Sequence, residues 1–294
     1  MKVRAVTYHI RSGLQRRSEH RPAEGLEAVA RVLRTLQTQA AQPQHFIAFV
    51  QEVEIGAPRS GWIDQPTWLR EHLGWQTGLF FQAFEKTLVH EGQATVWRYG
   101  NALFAPSSIV EEPLQRHVSP QPLEGRDYSQ AHPEWPNWLG EPRVAGHVES
   151  VVDGRALQLC CSHLGVTPGQ REQQLAAIAD HMVLRIRANR PTIVGADFNA
   201  GIDHEHFVNN PPATEPCATP AAELGDFCAR TGLVDVLSSL DVEAWTYPAP
   251  NPTFALDRIL VSPDVGLERA GVYVDHPAEA ASDHYAVFAD LVVE

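Results

Sequence analysis

Short apolar runs alternate along this chain with longer stretches in which apolar residues recur every three or four positions. The short runs, bounded by polar or turn residues, predict strands, and the three-to-four spacing predicts amphipathic helices. The predicted strands cover residues 3–10, 46–50, 76–82, 93–105, 144–152, 156–162, 192–196, 258–261, 266–274 and 286–293. The predicted helices cover residues 24–40, 66–73, 171–187 and 221–230.

The order of these elements favours two packed sheets over a single doubly wound sheet. Strands outnumber helices, and several strands follow one another without a helix between them. This pattern is typical of mixed sheets that pack face to face with helices on the outside. We therefore expect an α/β protein built on two mixed β-sheets.

Two segments interrupt the pattern, at residues 117–142 and 203–220. The first is rich in proline and aromatic residues, and the second is polar and proline-rich. Long loops of this kind often line substrate sites. An equally good explanation of the first segment is that Trp135 and Trp138 cover exposed hydrophobic surface.

Polar side chains stand at the ends of three predicted strands. Asp197 and Asn199 end one strand, Glu52 ends another, and Asp283 with His284 precedes the last. Because they are two residues apart, Asp197 and Asn199 are expected on one side of an extended segment. Each acid alone would most simply cap a loop. Together, carboxylate, amide and imidazole groups indicate a divalent-metal hydrolase site.

Seven short motifs resemble, in order, those of the endonuclease/exonuclease/phosphatase superfamily, which includes deoxyribonuclease I, AP endonucleases, inositol-polyphosphate phosphatases and neutral sphingomyelinases. They are Val-Thr-Tyr-His-Ile at 6–10, Val-Gln-Glu-Val at 50–53, Tyr-Gly-Asn-Ala at 99–102, Ser-His-Leu-Gly at 162–165, Gly-Ala-Asp-Phe-Asn at 195–199, Leu-Asp-Arg-Ile at 256–259 and Ser-Asp-His at 282–284. One such motif is a weak signal, but all of them in the family's order are specific. The resemblance covers nearly the whole chain and implies a four-layer α/β sandwich of two packed mixed β-sheets flanked by helices.

The same resemblance implies catalytic roles for five residues. Asp197 matches the acid that positions or deprotonates the attacking water, and Asn199 matches the amide that contacts the phosphoryl group or the metal shell. His284 matches the histidine that faces the scissile phosphate, and Asp257 matches the acid that orients it. His163 matches the histidine of the branch resembling deoxyribonuclease I and sphingomyelinase, which contacts the phosphate or protonates the leaving group.

Comparison with the family's pattern gives three candidate metal ligands. Glu52 corresponds to the glutamate that holds the divalent ion in the family, and Asp283 is the second acid. His9 departs from the family, which usually has asparagine at that position. Asn101 and Arg143 are weaker candidates for contacts to the substrate phosphate, and an ordinary surface position explains Arg143 nearly as well.

The expected ion is Mg²⁺, because carboxylate oxygens are the ligands that it prefers. The imidazole of His9 gives two hypotheses. The ion preference is shifted towards Mn²⁺ or another transition ion, or the site is partly disabled. Since the other positions of the family pattern are filled, we favour the active enzyme.

Charge and composition bear on the substrate and the location. The chain of 294 residues carries 36 acidic and 23 basic side chains, a net charge of −13. Nucleic-acid binders usually show a basic surface, so a small-molecule or lipid-headgroup phosphate ester is preferred, with nucleic acid still possible. Without a bilayer-spanning run or a signal-peptide core, a cytoplasmic protein with no transmembrane segment is expected. No obligate protein partner is evident, and the distant motifs can meet only if residues 1–294 form a single domain.

Three functional hypotheses follow. The first is a divalent-metal-dependent hydrolase of phosphate esters, most simply a phosphodiesterase, in which a metal on Glu52 and Asp283 assists the attack of water. The second is a DNA or RNA nuclease of the same superfamily. The third is a binding protein that keeps the fold but has weakened catalysis, which only His9 supports. A salt-dependent affinity for DNA would favour the second hypothesis over the first.

Overall fold

The structure, a computed structural model, describes part of the chain. The described residues are 1–14, 22–40, 45–90, 92–105, 109–110, 141–187, 190–201, 222–238, 244–275 and 281–294. The two irregular segments identified in the sequence therefore lie outside the described residues, except for residues 141 and 142. Across the described ranges, none of the helices combines the length and the apolar character needed to cross a bilayer.

The described residues form twelve strands and four α-helices, with 3₁₀ turns at Arg11–Gly13 and Pro58–Ser60. The strands are β1 (Lys2–His9), β2 (His45–Ile55), β3 (Thr77–His90), β4 (Gln93–Ala105), β5 (Ile109–Val110), β6 (Ala145–Val152), β7 (Arg155–His163), β8 (Thr192–Asp197), β9 (Val234–Asp235), β10 (Asp257–Val261), β11 (Val265–Tyr273) and β12 (Ala286–Val293). The helices are α1 (Pro22–Thr38), α2 (Gln65–Leu73), α3 (Pro168–Arg187) and α4 (Ala222–Thr231). Every element predicted from the sequence is present. The strands β5 and β9 were not predicted because two residues are too few to show a hydrophobic period.

The strands form two six-stranded sheets, ordered β11-β12-β1-β2-β4-β3 and β5-β6-β7-β8-β10-β9. Each sheet has one parallel pair at its centre, β1 with β2 in the first sheet and β7 with β8 in the second. Helix α1 connects the first pair and helix α3 connects the second, as parallel neighbours require a crossover connection. All other pairings are antiparallel, so both sheets are mixed as predicted.

Apolar side chains fill the space between the two sheets. Ile47 of the first sheet and Leu159 of the second belong to one buried cluster that spans this space. Gly195 in β8 allows a close approach, because a Cβ at this position would lie 2.3 Å from the ring of Phe49. The substitution of Gly195 by any larger residue would therefore push the sheets apart.

Helices cover the outer face of each sheet. Helix α1 buries Leu26, Val29 and Leu33 against the first sheet, and α2 packs beside it through Leu69. Helices α3 and α4 cover the second sheet with side chains that include Leu175. Each fully buried leucine contributes about 1.5–3 kcal/mol relative to an exposed one. The expected four-layer sandwich is confirmed.

The register of the parallel pairs places polar residues at one edge of the sandwich. His9 pairs with Gln51 at the last position of β1, and His163 pairs with Asp197 at the last position of β7. The antiparallel strand β10 begins at the same edge, since Asp257 pairs with Asp197. The carboxyl ends of both parallel pairs and the start of β10 thus meet at this edge.

Candidate active site

The structure brings together the residues that the sequence singled out, although they come from six separate segments of the chain. The site residues and their positions are His9 at the end of β1, Glu52 within β2, His163 at the end of β7, Asp197 at the end of β8, Asn199 just after it, Asp257 at the start of β10, and Asp283 and His284 just before β12. Most of these side chains are buried, and Glu52 and Asp283 are about one fifth exposed.

Glu52 lies on a β-bulge rather than at the end of a strand. The pairing of β2 with β4 shifts between Val50 and Val53, so that Gln51 and Glu52 form an irregularity inside the strand. Glu52 has a φ of 56°, in the left-handed region that a glutamate rarely adopts. The prediction that the strand stops at residue 50 was wrong. A bulge redirects a side chain, and backbone strain of this kind is often found at functional sites.

His9 lies at the centre of the site. Its Nε2 atom is 3.3 Å from Oε1 of Glu52 and 4.0 Å from Oδ2 of Asp197. Its Nδ1 atom is 3.9 Å from Oδ1 of Asp283. The imidazole stacks on that of His284, with 4.0 Å between the ring centroids. Burial lowers the pKa of His9, but Glu52 more than offsets this and raises the pKa to about 10.

The charge on His9 acts in turn on Glu52. Burial disfavours the charged carboxylate of Glu52, but His9 beside it lowers the pKa of Glu52 well below its usual value. The two side chains therefore stabilise each other as an ion pair in the absence of a metal ion. A carboxylate that stays ionised is available as a metal ligand.

His284 and Asp257 form a second hydrogen-bonded pair. Nδ1 of His284 lies 2.8 Å from Oδ2 of Asp257. Burial and the neighbouring His9 both lower the pKa of His284, yet Asp257 brings about a net rise in that pKa. With Nδ1–H donated to Asp257, the Nε2 atom of His284 is left for another partner.

Thr246 holds the backbone that carries this pair, a role that the sequence did not reveal. Its Oγ1 atom accepts hydrogen bonds from the backbone N–H groups of Leu256 and Asp257, at 3.2 and 3.3 Å. Its carbonyl oxygen accepts from the N–H of Tyr285, the residue after His284. Through these hydrogen bonds the fully buried Thr246 connects the backbone segments that carry Asp257 and His284.

His163 is held in a neutral form. Nη1 of Arg143 lies 3.1 Å from Nδ1 of His163, and because arginine can only donate, Nδ1 must accept. The proton of the neutral ring is then on Nε2 and points to Oδ2 of Asp197, 3.4 Å away. Nδ2 of Asn199 also lies 3.2 Å from Nε2, but it is a donor and donates to the carbonyl of Leu164. Burial, with Arg143 and then His9 adding to it, lowers the pKa of His163 well below its usual value.

Asn199 reaches the site by a different route from the one predicted. Strand β8 ends at Asp197, and Asn199 has a φ of 49°, so the segment is turned and not extended. The N–H of Asn199 donates to Oδ1 of Asp197, and its side-chain amide donates to the carbonyl of Leu164, both at 2.8 Å. Asparagine tolerates this left-handed conformation better than most residues. The expectation of a shared side on an extended strand was wrong, although both residues lie at the site.

Arg143 and Asn101, the proposed substrate contacts, occupy buried positions beside the site. Nη1 of Arg143 also lies 2.9 Å from Oε2 of Glu141, so an ordinary surface arginine is excluded. Asn101 donates its side-chain amide to the carbonyl of Val144 at 3.0 Å, which ties β4 to the second sheet. The sequence did not reveal Glu141, and it gave Tyr99 only as part of the motif at 99–102. The Tyr99 hydroxyl donates to Oε2 of Glu141 at 3.3 Å.

The residues present fit a divalent cation. Within the described part of the chain, three groups of side chains have ligand atoms within 4.8 Å of one another: His9 with Asp283 and His284, His9 with Glu52 and His163, and Asp197 with Asp257 and His284. Nδ1 of His9 is buried and has no hydrogen-bond partner among the described residues. Carboxylate oxygens suit Mg²⁺, and an added imidazole nitrogen suits Mn²⁺ and other transition ions.

Comparison of the sequence with known families decides the identity at family level. Residues 10–284 match the Endonuclease/Exonuclease/phosphatase family. The chain belongs to this family. The expectation of a phosphoric ester hydrolase is therefore confirmed at that level. None of the curated proteins matches the chain in sequence.

Solved structures of this family share the fold. An endonuclease/exonuclease/phosphatase from Bacteroides vulgatus superimposes with a TM-score of 0.64 and 17% identity over 100% of both chains. A mannosyl-6-phosphatase from Bacteroides thetaiotaomicron VPI-5482 gives 0.62 and 19%, covering 99% of each chain. TDP2 of D. rerio, complexed with a single-strand DNA product, gives 0.57 and 15%, again covering 99% of each chain. At these identities the similarity establishes the fold alone.

The hydrogen bonds of Thr246 give a first testable prediction. Thr246→Val keeps the shape but leaves two buried N–H groups without an acceptor, so we expect the free energy of unfolding to fall by about 1–3 kcal/mol. Thr253→Val is the matched control, because the Thr253 hydroxyl is buried and has no partner among the described residues. Urea denaturation measures both. Equal losses in the two variants would contradict the role given to Thr246.

Proposed function

We propose that this protein is a divalent-metal-dependent hydrolase that acts on a phosphate diester of a small molecule or a lipid headgroup. The observation that carries the proposal is the convergence of three imidazoles and four carboxylates at one edge of the sandwich, where His9 alone lies within 4.0 Å of three carboxylates. Such a set has both the ligands and the proton-transfer groups that ester hydrolysis requires.

Glu52, Asp283 and His9 are the proposed metal ligands. Nε2 of His9 faces Glu52 and Nδ1 faces Asp283, so His9 lies between the two carboxylates. The protonated His9 keeps Glu52 ionised, and it would have to lose its extra proton before it could bind the ion. Mg²⁺ or Mn²⁺ bound there would polarise a phosphoryl oxygen and offset the negative charge of the transition state. Arg11 stands at the rim, with its Nε atom 3.5 Å from Oδ2 of Asp283, and helps to orient that carboxylate.

Asp197 is the proposed group that positions and deprotonates the attacking water. Burial, and Asp257 in addition, raises the pKa of Asp197, which makes it a stronger base than an exposed aspartate. Its Oδ1 atom is fixed by the N–H of Asn199, while Oδ2 faces His163 and His9. The side-chain amide of Asn199 is the proposed contact to the phosphoryl group or the metal shell.

The imidazoles of His284 and His163 are the proposed donors to the phosphoryl oxygens. The raised pKa of His284 favours the charged ring, which stabilises the charge that develops on the phosphate. His163 carries its proton on Nε2 and is neutral, which supports hydrogen-bond donation over protonation of the leaving group. Arg143 and Asn101 are proposed as further contacts to the substrate phosphate.

A small substrate is supported by the charge of the chain. The net charge of −13 disfavours extended nucleic acid, whose affinity comes mainly from contacts to phosphates. Of the structural neighbours, one is a mannosyl-6-phosphatase and another is TDP2 complexed with a DNA product, so the fold is compatible with both kinds of substrate. We further propose a cytoplasmic location, action as one domain spanning residues 1–294, and no obligate protein partner.

Loss of the catalytic groups tests the proposed function. We expect chelator-sensitive hydrolysis of bis-p-nitrophenyl phosphate that falls at least about a hundredfold in Asp197→Ala and in His284→Ala, because each removes a group that transfers or donates a proton. Asp180→Ala, at an exposed acid on α3, is the control and keeps its rate. Parallel assays use p-nitrophenyl phosphate and plasmid DNA. Faster cleavage of DNA than of the diester would favour the nuclease, and metal binding without any turnover would favour the binding protein.

Replacement of the unusual histidine tests the choice of ion. If His9 is a direct ligand, His9→Asn lowers the affinity for Mn²⁺ relative to Mg²⁺ by about tenfold or more, because an amide oxygen does not favour the transition ion. Calorimetry gives both dissociation constants, and hydrolysis rates with each ion give a second readout. His72→Asn, at an exposed histidine, is the control. An unchanged ratio in His9→Asn would exclude His9 as the residue that sets the preference.

A further inference from the structure

The β3–β4 hairpin extends beyond the sheet to which it belongs. The two strands pair with each other as far as His90 and Gln93, whereas β2 pairs with β4 only as far as Arg98. The sequence predicted β3 only to residue 82, because the part that follows is not shielded on either face and shows no apolar alternation. The outer part of the hairpin is therefore a two-stranded projection.

One face of this projection carries three aromatic rings and a lysine. Phe84 pairs with Tyr99, and Lys86 pairs with Trp97, so all four side chains lie on the same face, which we call the hairpin face. The rings of Phe84 and Tyr99 stack at 5.0 Å with 20° between their planes. Phe84 meets Trp97 edge to face at 5.2 Å. Phe84 and Trp97 are partly exposed.

The hairpin face begins at the candidate active site. The Tyr99 hydroxyl donates to Glu141 and is close enough to Glu52, the proposed metal ligand, to contribute to the lowering of the pKa of that carboxyl. Trp97 is two residues further along the strand, which corresponds to about 7 Å. Trp97 is therefore on the same face as Tyr99, one strand repeat further from Glu52.

The hairpin face also carries a positive charge that no described carboxylate pairs with. Lys86 is one of two lysines in the whole chain. Its Nζ atom lies 5.2 Å from the ring centroid of Phe84 and 5.5 Å from that of Trp97. The other lysine, Lys2, pairs with Glu268, but in the described ranges no carboxylate forms an ion pair with Lys86. In a chain with a net charge of −13, an ammonium group without an ion-pair partner among the described residues is unusual.

Arg59 brings a second cation to the same rings. Its Cζ atom lies 5.2 Å from the ring centroid of Trp97. Unlike Lys86, Arg59 is neutralised, because Nε of Arg59 donates to Oε1 of the buried Glu54 at 2.8 Å. The attraction for an anion therefore comes mainly from Lys86, while Arg59 fixes the indole ring.

We propose that the hairpin face binds a planar aromatic group of the substrate that carries a second negative charge, such as a nucleoside with a further phosphate. The proposal rests on the proposed function and specifies its substrate class. A base can stack on an aromatic side chain whatever its identity, because every base has a π-face. The exposed ammonium group of Lys86, which lies 5.2 and 5.5 Å from two of the rings, attracts the second anionic group.

Cross-strand aromatic pairs also stabilise hairpins, so a purely structural role is the alternative to be tested. The chain offers a matched control for this. Glu85 and Arg98 form an ion pair of 2.8 Å on the opposite face of the same hairpin. Arg98→Gln and Lys86→Gln each remove one positive charge from the hairpin, but only Lys86→Gln changes the hairpin face.

The experiment compares three diesters that share a p-nitrophenolate leaving group. They are methyl p-nitrophenyl phosphate, the p-nitrophenyl ester of thymidine 5′-phosphate, and the same thymidine ester with an added 3′-phosphate. We expect kcat/KM to be about tenfold higher for the thymidine ester than for the methyl ester, and higher again with the 3′-phosphate. Trp97→Leu should lower the thymidine-to-methyl ratio to below about threefold. Lys86→Gln should abolish the gain from the 3′-phosphate, and Arg98→Gln should keep both effects.

A binding measurement separates this inference from the proposed function. Calorimetry with thymidine 3′,5′-bisphosphate in the presence of chelator needs no turnover, and we expect weaker binding in Trp97→Leu and Lys86→Gln but not in Arg98→Gln. If no ester is hydrolysed, the proposed function fails while this binding still decides the inference. Equal ratios for all esters in the unmodified protein, or equal losses in Lys86→Gln and Arg98→Gln, would overturn the inference.

Discussion

The parallel pairing of one strand pair in each sheet is the constraint on which the candidate site depends. Parallel strands end at the same edge, so His9 lies beside Gln51, and His163 lies beside Asp197. Because the sheets pack face to face, these two edges coincide. The antiparallel neighbours β10 and β12 begin where the parallel strands end, which adds Asp257 and the segment before β12. No single element of the chain could assemble such a set.

The same packing buries several charged side chains close to one another. Burial raises the energy of every charged group in it, and like charges on Asp197 and Asp257 disfavour each other. The structure offsets this locally, with His9 beside Glu52, and His284 beside Asp257. A divalent cation would add positive charge beside the clustered carboxylates.

The elements and the general position of the site could be predicted from the sequence, because strands, amphipathic helices and strand-end motifs all leave local patterns. The geometry of Glu52 could not, since a bulge arises only when β2 meets β4. Asn199 was correctly predicted to lie at the site, but the prediction assumed an extended strand. Its left-handed backbone conformation has no signature in the sequence. The outer half of β3 was missed because exposure on both faces removes the apolar period. Thr246 has an effect only through contacts between distant segments, such as that with Asp257.

The central claim is that side chains from distant parts of the chain form one metal centre, and the location of a bound ion tests it most directly. Anomalous diffraction from crystals grown with Mn²⁺ measures that location without reference to activity. The account predicts the strongest anomalous peak among His9, Glu52 and Asp283, with ligand distances of about 2.0–2.3 Å. An ordered ion bound only by surface acids, or no peak near Glu52 at saturating Mn²⁺, would contradict it.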